Sequence, residues 1–140
     1  MFDTLGERRL FVENLTNYVK ENFKDDFNLF VFGSFLTEDF RKDSDLDIAI
    51  YTRGDMLELD FVVNDFLKGY AIPCDTIMIK PDFCTNFIDL NALCGYRCTD
   101  WFPEELKKHL AELTFLNMEN MKWRIQWCDA LQYALRREVI

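Results

Sequence analysis

Residues 28–51 are NLFVFGSFLTEDFRKDSDLDIAIY, and this stretch decides the fold. It opens with a short, mostly apolar run, rich in residues that favour strands, which Gly33 closes. Such a run predicts a buried strand over residues 28–32. A second strand is predicted over residues 45–51, and the polar segment between the two, residues 34–42, is predicted to form a turn or a brief helix.

The second of these strands alternates in character from one residue to the next. Successive side chains of a strand point to opposite faces of its sheet, so Leu46, Ile48 and Ile50 share one face. Asp45 and Asp47 begin the opposite face. Acids that point off a buried strand are costly unless a cation compensates them. The pattern therefore indicates a cation site, and the alternative is a solvated turn that leads into the strand.

The rest of the chain predicts further helices and one more strand. A helix is expected to begin at Thr4, with Glu7 completing a capping box, and to end before Lys24. Arg8 and Arg9 are expected to be solvated charges of this helix. Apolar residues at helical spacing predict helices over residues 59–70, 82–93, 103–116 and 119–137, and a third strand is predicted over residues 74–79. Alternation of helices and strands is typical of an α/β (α+β) fold.

The composition fits one folded domain that acts on a small molecule or a protein. The chain has 140 residues, of which 49% are hydrophobic and 16% aromatic, enough for a packed core. It has 16 Lys and Arg against 25 Asp and Glu, a formal net charge of −9, so non-specific nucleic-acid binding is not expected. The sequence contains neither a signal-peptide pattern nor an apolar run long enough to span a membrane. We therefore expect no membrane association, a cytoplasmic location and reduced cysteines.

Gly33-Ser34, ten further residues and then Asp45-x-Asp47 form a pattern that suits chemistry at phosphorus. Residues i and i+2 of a strand point the same way, with Cα atoms about 6.6 Å apart. Two carboxylates placed in this way can hold two metal ions for an in-line displacement. Mg²⁺ suits such a site, because it prefers a few carboxylates together with substrate phosphates. Gly33 lets the backbone approach a phosphate without an intervening Cβ, and Ser34 adds a hydroxyl donor.

Asp75 is the candidate for a third carboxylate. It lies near the start of the third predicted strand, in a register that matches Asp47. In that place it could deprotonate an attacking hydroxyl or share a metal ion. The alternative is that Asp75 caps the edge of the strand.

The pattern GS-x10-DxD, here FGSFLTEDFRKDSDLDIAI, resembles that of the minimal nucleotidyltransferases of the DNA polymerase β-like superfamily. The resemblance implies a small mixed-sheet palm flanked by helices over residues 1–100. Residues 101–140 would then be a C-terminal helical extension packed on the palm as part of a single globular unit. The resemblance also implies ATP as the donor, two Mg²⁺ ions, and transfer of a nucleoside monophosphate to a hydroxyl with release of pyrophosphate.

The resemblance carries roles over to individual residues of this chain. Gly33 and Ser34 would bind the triphosphate. Asp45, Asp47 and Asp75 would be the catalytic acids and the metal ligands.

One part of the pattern departs from the family. Many relatives place an Arg and then a Gly a few residues after the Gly-Ser pair, where this chain has Thr37 and Glu38. Arg41 and Lys42 are the nearby cations and are the candidates for binding the triphosphate. They either reach it or lie solvated in the loop, in which case nucleotide affinity would be reduced.

The resemblance also suggests a partner. Many minimal nucleotidyltransferases resemble antitoxins that are paired with HEPN-domain ribonuclease toxins and are thought to adenylylate a tyrosine of the toxin. A wide apolar stripe on the helix predicted over residues 119–137 fits such a protein contact or a homo-oligomer, and the alternative is that the stripe is partly buried against the sheet domain. Two alternatives are a small-molecule acceptor, such as an aminoglycoside, and a degenerate member that acts only by binding.

The histidine and the cysteines fit structural roles. A zinc site from Cys94, Cys98, His109 and Cys128 is conceivable, but structural zinc sites usually show two tight ligand pairs. Small buried thiols are therefore the favoured interpretation. His109 is expected to be solvated on an exposed face of its helix.

Overall fold

The computed structural model describes residues 2–81 and 87–118. The helices are α1 (Leu5–Asn22), α2 (Met56–Leu67), α3 (Phe87–Leu93) and α4 (Glu104–Met118), and the strands are β1 (Phe27–Phe32), β2 (Leu46–Thr52), β3 (Cys74–Met78) and β4 (Tyr96–Arg97). The predicted elements that fall in these ranges are confirmed to within a few residues. Residues 82–86 and the helix predicted over residues 119–137 lie outside the described part of the chain. No helix in the described ranges is long and apolar enough to cross a bilayer.

The strands form one mixed sheet in the order β3-β2-β1-β4. β1 pairs antiparallel with β2 and with β4, whereas β2 and β3 are parallel. A parallel pair needs a crossover connection, and α2 supplies it between β2 and β3. The mixed sheet and its helices confirm the predicted fold class.

Helices cover both faces of the sheet. α1 and α2 pack on the face that carries Leu46, Ile48 and Ile50, and α3 and α4 pack on the face that carries Ala49. The alternation predicted for this strand is therefore confirmed. Asp47, two residues before Ala49, belongs to the α3–α4 side of the sheet.

α1 begins as predicted, but one of its charges is not solvated. Thr4 Oγ1 accepts a hydrogen bond from the Glu7 amide at 3.1 Å, and the Thr4 hydroxyl donates to the Glu7 carboxylate. Arg8 is only 6% exposed, so the expectation of a solvated charge is wrong for this residue. Its guanidinium can be buried because backbone carbonyls accept its hydrogen bonds, including that of Phe2 at 2.8 Å.

His109 is also buried. Its side chain is 3% exposed, and its Nε2 lies 2.9 Å from Oδ2 of Asp89 on α3. The prediction of a solvated histidine is wrong, because the face of α4 that packs inward holds His109 beside the buried Leu106 and Leu110. The Asp89 carboxylate provides the polar partner that a buried imidazole needs.

Cys94 and Cys98 are half-buried, which agrees with the favoured interpretation as thiols of the protein interior. Burial raises the pKa of the Cys94 thiol to about 11, which keeps it protonated at neutral pH. Cys128, the remaining cysteine of the conceivable zinc set, lies outside the described residues.

Candidate active site

The three predicted acids come to one edge of the sheet. Because β2 and β3 are parallel, their first residues lie side by side, and Asp47 is the Cα partner of Asp75. Asp45 immediately precedes β2. β1 runs the opposite way and ends with Phe32, the Cα partner of Asp47, so Gly33 follows at the same edge.

Gly33 turns the chain away from the sheet with a φ of 73°. This is the left-handed region, which residues with a side chain rarely adopt. A Cβ added to Gly33 would overlap Oδ2 of Asp47 and would lie 3.3 Å from its Cγ. The conformation and the close approach of the Asp47 carboxylate therefore both require glycine.

The electrostatics of this edge favour a bound cation. Burial, and then the negative charges of Asp75 and Asp45, raise the pKa of Asp47 above its ordinary value of 3.8. A divalent cation would offset this repulsion. Carboxylate oxygens are the donors that Mg²⁺ prefers, and Mg²⁺ usually takes only one or two of them together with phosphate and water oxygens.

The donor set therefore fits Mg²⁺ bound together with a phosphate ligand. Within residues 2–81 and 87–118, no group of three or more His, Cys, Asp or Glu side chains is clustered as a ready-made metal cage. An ion that relies on phosphate oxygens for part of its coordination does not need such a cage.

An open cleft of about 570 Å³ lies over this edge, a volume typical of small-ligand sites. Its walls come from α1, the loop after β1, the sheet, and the turn between α3 and β4. The residues that line these walls include Arg9, Gly33, Thr37, Asp47, Cys94 and Tyr96. The cleft thus brings together the backbone of Gly33, the carboxylate of Asp47 and the guanidinium of Arg9.

The loop after β1 is a tight turn that closes on Ser34. The Ser34 carbonyl accepts hydrogen bonds from the Thr37 amide at 3.0 Å and from the Thr37 hydroxyl at 2.9 Å. Thr37 Oγ1 in turn accepts from the Asp39 amide at 3.1 Å. Thr37, where many relatives have arginine, is therefore used to shape the loop. Ser34 is half-buried and does not line the cleft, and its hydroxyl makes no hydrogen bond within the described part of the chain.

Arg8, which the sequence reasoning missed, fixes this loop to α1. Its Nε donates to the Phe35 carbonyl at 2.7 Å and its Nη2 donates to the Thr37 carbonyl at 3.3 Å. Its guanidinium carbon lies 4.3 Å from the centre of the Phe40 ring. Helical spacing could have found this residue, since Arg8 lies four residues before the buried Val12.

Arg41 and Lys42 are exposed and do not line the cleft. The Arg41 amide donates to Ser44 Oγ at 2.9 Å and the Arg41 carbonyl accepts from the Ser44 amide at 2.9 Å, so this segment is a turn that leads into Asp45. Contact of Arg41 and Lys42 with a triphosphate stays a prediction. Arg9 is exposed as expected, but it does line the cleft.

A comparison with known families agrees with this geometry. The family model for the nucleotidyltransferase domain matches residues 12–111. The chain belongs to this family. The match covers the Gly-Ser loop and all three acids of this nucleotidyltransferase domain, and membership supports nucleotidyl transfer as its general activity. Searches of the curated proteins and of the solved structures found no significant match.

Proposed function

We propose that this nucleotidyltransferase moves AMP from ATP to a hydroxyl group of an acceptor and releases pyrophosphate. The observation that carries the proposal is that Asp47 pairs in register with Asp75 and also lines an open cleft together with Gly33. Paired carboxylates can hold metal ions, and the backbone amides of a glycine turn can donate hydrogen bonds to the phosphate oxygens of a metal-bound triphosphate.

The three acids have distinct roles in this proposal. Asp45 and Asp47 would hold two Mg²⁺ ions, which would supply positive charge to the triphosphate oxygens. Asp75 completes the site and accepts the proton of the acceptor hydroxyl. The acceptor oxygen then forms a bond to the α-phosphorus, and the bond from that phosphorus to the bridging oxygen breaks, so that pyrophosphate leaves.

The loop after β1 is the proposed phosphate cradle. Gly33 offers an amide that carries no side chain of its own, and the Ser34 hydroxyl has no competing partner among the described residues. The Arg8 anchor limits movement of this loop, so the donors are held in place before the nucleotide binds.

We further propose that the acceptor is a protein, as a tyrosine of a HEPN-type toxin ribonuclease would be, and that the reaction takes place in the cytoplasm. The net charge of −9 suits a basic protein partner. Leu57 and Phe61, one turn apart on α2, are 72% and 70% exposed, and solvent-facing apolar side chains of this size often belong to interfaces. The apolar stripe that the sequence predicts over residues 119–137 would suit a further contact with the partner or with a second copy of the chain.

The proposed reaction can be tested with ATP labelled in the α or in the γ phosphate. The protein is incubated with Mg²⁺, each label, and the product of the neighbouring gene or an aminoglycoside as acceptor. Label from the α position should be transferred to the protein acceptor, whereas label from the γ position should be released as pyrophosphate.

The matched variants for this assay are Asp45→Asn/Asp47→Asn and the control Asp39→Asn/Asp43→Asn, which removes two exposed loop acids instead. The first should lose at least about 100-fold in rate and the second should stay close to wild type. Transfer only to the aminoglycoside would contradict the protein acceptor. A partner that binds equally to wild type and to the first variant, without transfer of label, would contradict the enzyme and favour a binding module.

A further inference from the structure

Arg9 lines the cleft, and among residues 2–81 and 87–118 no other lysine or arginine does so. Its guanidinium makes no hydrogen bond or ion pair within the described residues. A cation that lines a cleft without a protein partner has its hydrogen-bond donors free for a ligand.

The cleft needs positive charge if it is to hold a triphosphate. Asp47 lies on its floor with Asp75 and Asp45 nearby, and the chain as a whole is acidic. The cations expected from the loop, Arg41 and Lys42, do not line the cleft. A phosphate chain bound between these acids would therefore lack a protein cation unless another residue supplies one.

The position of Arg9 is fixed relative to the loop. Its neighbour Arg8 points inward and bonds the carbonyls of Phe35 and Thr37, which ties the loop to the first turns of α1. Consecutive residues of a helix point about 100° apart, so Arg9 leaves the same turn towards the cleft. Arg8 thus holds the loop in place from within the protein, whereas Arg9 lies on the surface of the cleft, where a ligand can contact it.

We propose that Arg9, which lines the cleft beside Gly33 and Asp47, binds the phosphate chain of the donor nucleotide. This inference rests on the proposed function. Arginine suits the task because its planar guanidinium can donate two hydrogen bonds to one phosphate group. The arrangement accounts for Thr37, since a loop whose cation comes from α1 can use that position to close its own turn.

The test is calorimetric titration of ATP and of tripolyphosphate, each with Mg²⁺, into wild type and Arg9→Gln. Lys20→Gln is the matched control, because it removes one exposed positive charge from the same helix far from the cleft. Arg41→Gln/Lys42→Gln tests the competing loop cations. Thermal melting checks that each variant is folded.

Arg9→Gln should weaken binding of both ligands by about 10-fold or more, and by more than Arg41→Gln/Lys42→Gln does, whereas Lys20→Gln should stay within about two-fold of wild type. Arg9→Lys should weaken binding by an intermediate amount, since lysine keeps the positive charge but cannot donate the paired hydrogen bonds of a guanidinium. Unchanged binding by folded Arg9→Gln, or a loss confined to the loop variant, would overturn the inference. A loss for ATP without one for tripolyphosphate would also overturn it, because Arg9 would then contact the nucleoside. If wild type binds no nucleotide at all, the proposed function fails first, which distinguishes the two failures.

Discussion

At Asp47 the fold holds a carboxylate where its ionisation is opposed. Burial and the charges of Asp75 and Asp45 raise its pKa, so the charged form is less stable in the folded chain than in the unfolded one. An acid with a raised pKa contributes stability below its unfolded pKa, and that contribution is lost as the pH rises through the folded value. A bound cation at this edge would restore it.

We therefore expect Asp47→Asn to melt at a higher temperature than wild type at pH 7 without metal, because asparagine has no charge for burial and the neighbouring acids to oppose. The difference should shrink as the pH falls towards 3.8, the ordinary value for Asp. Mg²⁺ should raise the melting temperature of wild type more than that of the variant. Scanning calorimetry from pH 3.5 to 8 measures this, with the exposed-site variant Glu13→Gln as control. A variant that melts lower than wild type at pH 7 would contradict the account.

Gly33 offers the second test at the scale of a residue. Gly33→Ala should cost at least about 1–2 kcal/mol of unfolding free energy, because alanine is strained at positive φ and its Cβ would displace the Asp47 carboxylate. Gly69→Ala is the matched control, since a Cβ there has no atom within 4 Å, and it should change stability by less than about 0.5 kcal/mol. Urea denaturation compares the two. Equal effects would mean that Gly33 is not constrained as described.

Between elements, Arg8 connects α1 to the loop after β1. Arg8→Met should lower the unfolding free energy by about 1–3 kcal/mol, because it leaves the buried carbonyls of Phe35 and Thr37 without their donor. Arg9→Met, one residue along the same helix, should leave stability close to that of wild type, because Arg9 is exposed. Urea denaturation again measures both. The connection is disproved if the two substitutions cost the same.

α3 and α4 are joined by the buried pair of Asp89 and His109. Replacing one member by leucine leaves the other buried and unpaired, so Asp89→Leu or His109→Leu should each cost about 3 kcal/mol. The double replacement should cost less than the sum of the single ones, because it leaves no unpaired group. A double-mutant cycle in chemical denaturation tests this coupling, and additive effects would show that the two side chains do not depend on each other.

The helices and strands could be predicted because the spacing of apolar residues that indicates each one lies within a short stretch of sequence. The alternation of β2 predicted which face Leu46 and Asp47 occupy, and the packing of the sheet confirms it. Arg8 and His109 could not be placed in the same way. Each is buried against a polar group that lies 20 or more residues away in the sequence, the carbonyl of Phe35 for Arg8 and the carboxylate of Asp89 for His109, so the local sequence gives no sign of the partner.

At the scale of the whole molecule, the cleft depends on how distant segments meet. Arg9 belongs to the first helix and Tyr96 to the last described strand, yet both line the same opening. Spacing within the stretch 33–47 predicted the acids and the glycine, and the parallel pairing of β2 with β3 brings Asp75 to them. The walls of the cleft have no such local signal, so the sequence predicts Arg9 only as a solvated charge of its helix and not as a residue of the cleft.

In the proposed function, this edge of the sheet binds a nucleoside triphosphate together with Mg²⁺. The most direct measurement is calorimetric titration of ATP into wild type and Asp45→Asn/Asp47→Asn, with Mg²⁺ and with a chelator. We expect wild type to bind ATP much more tightly with Mg²⁺ than without it, and the double variant to show no such dependence. Absence of binding of ATP, GTP, CTP and UTP to folded wild type with Mg²⁺, or equal Mg²⁺ dependence in the double variant, would contradict the claim.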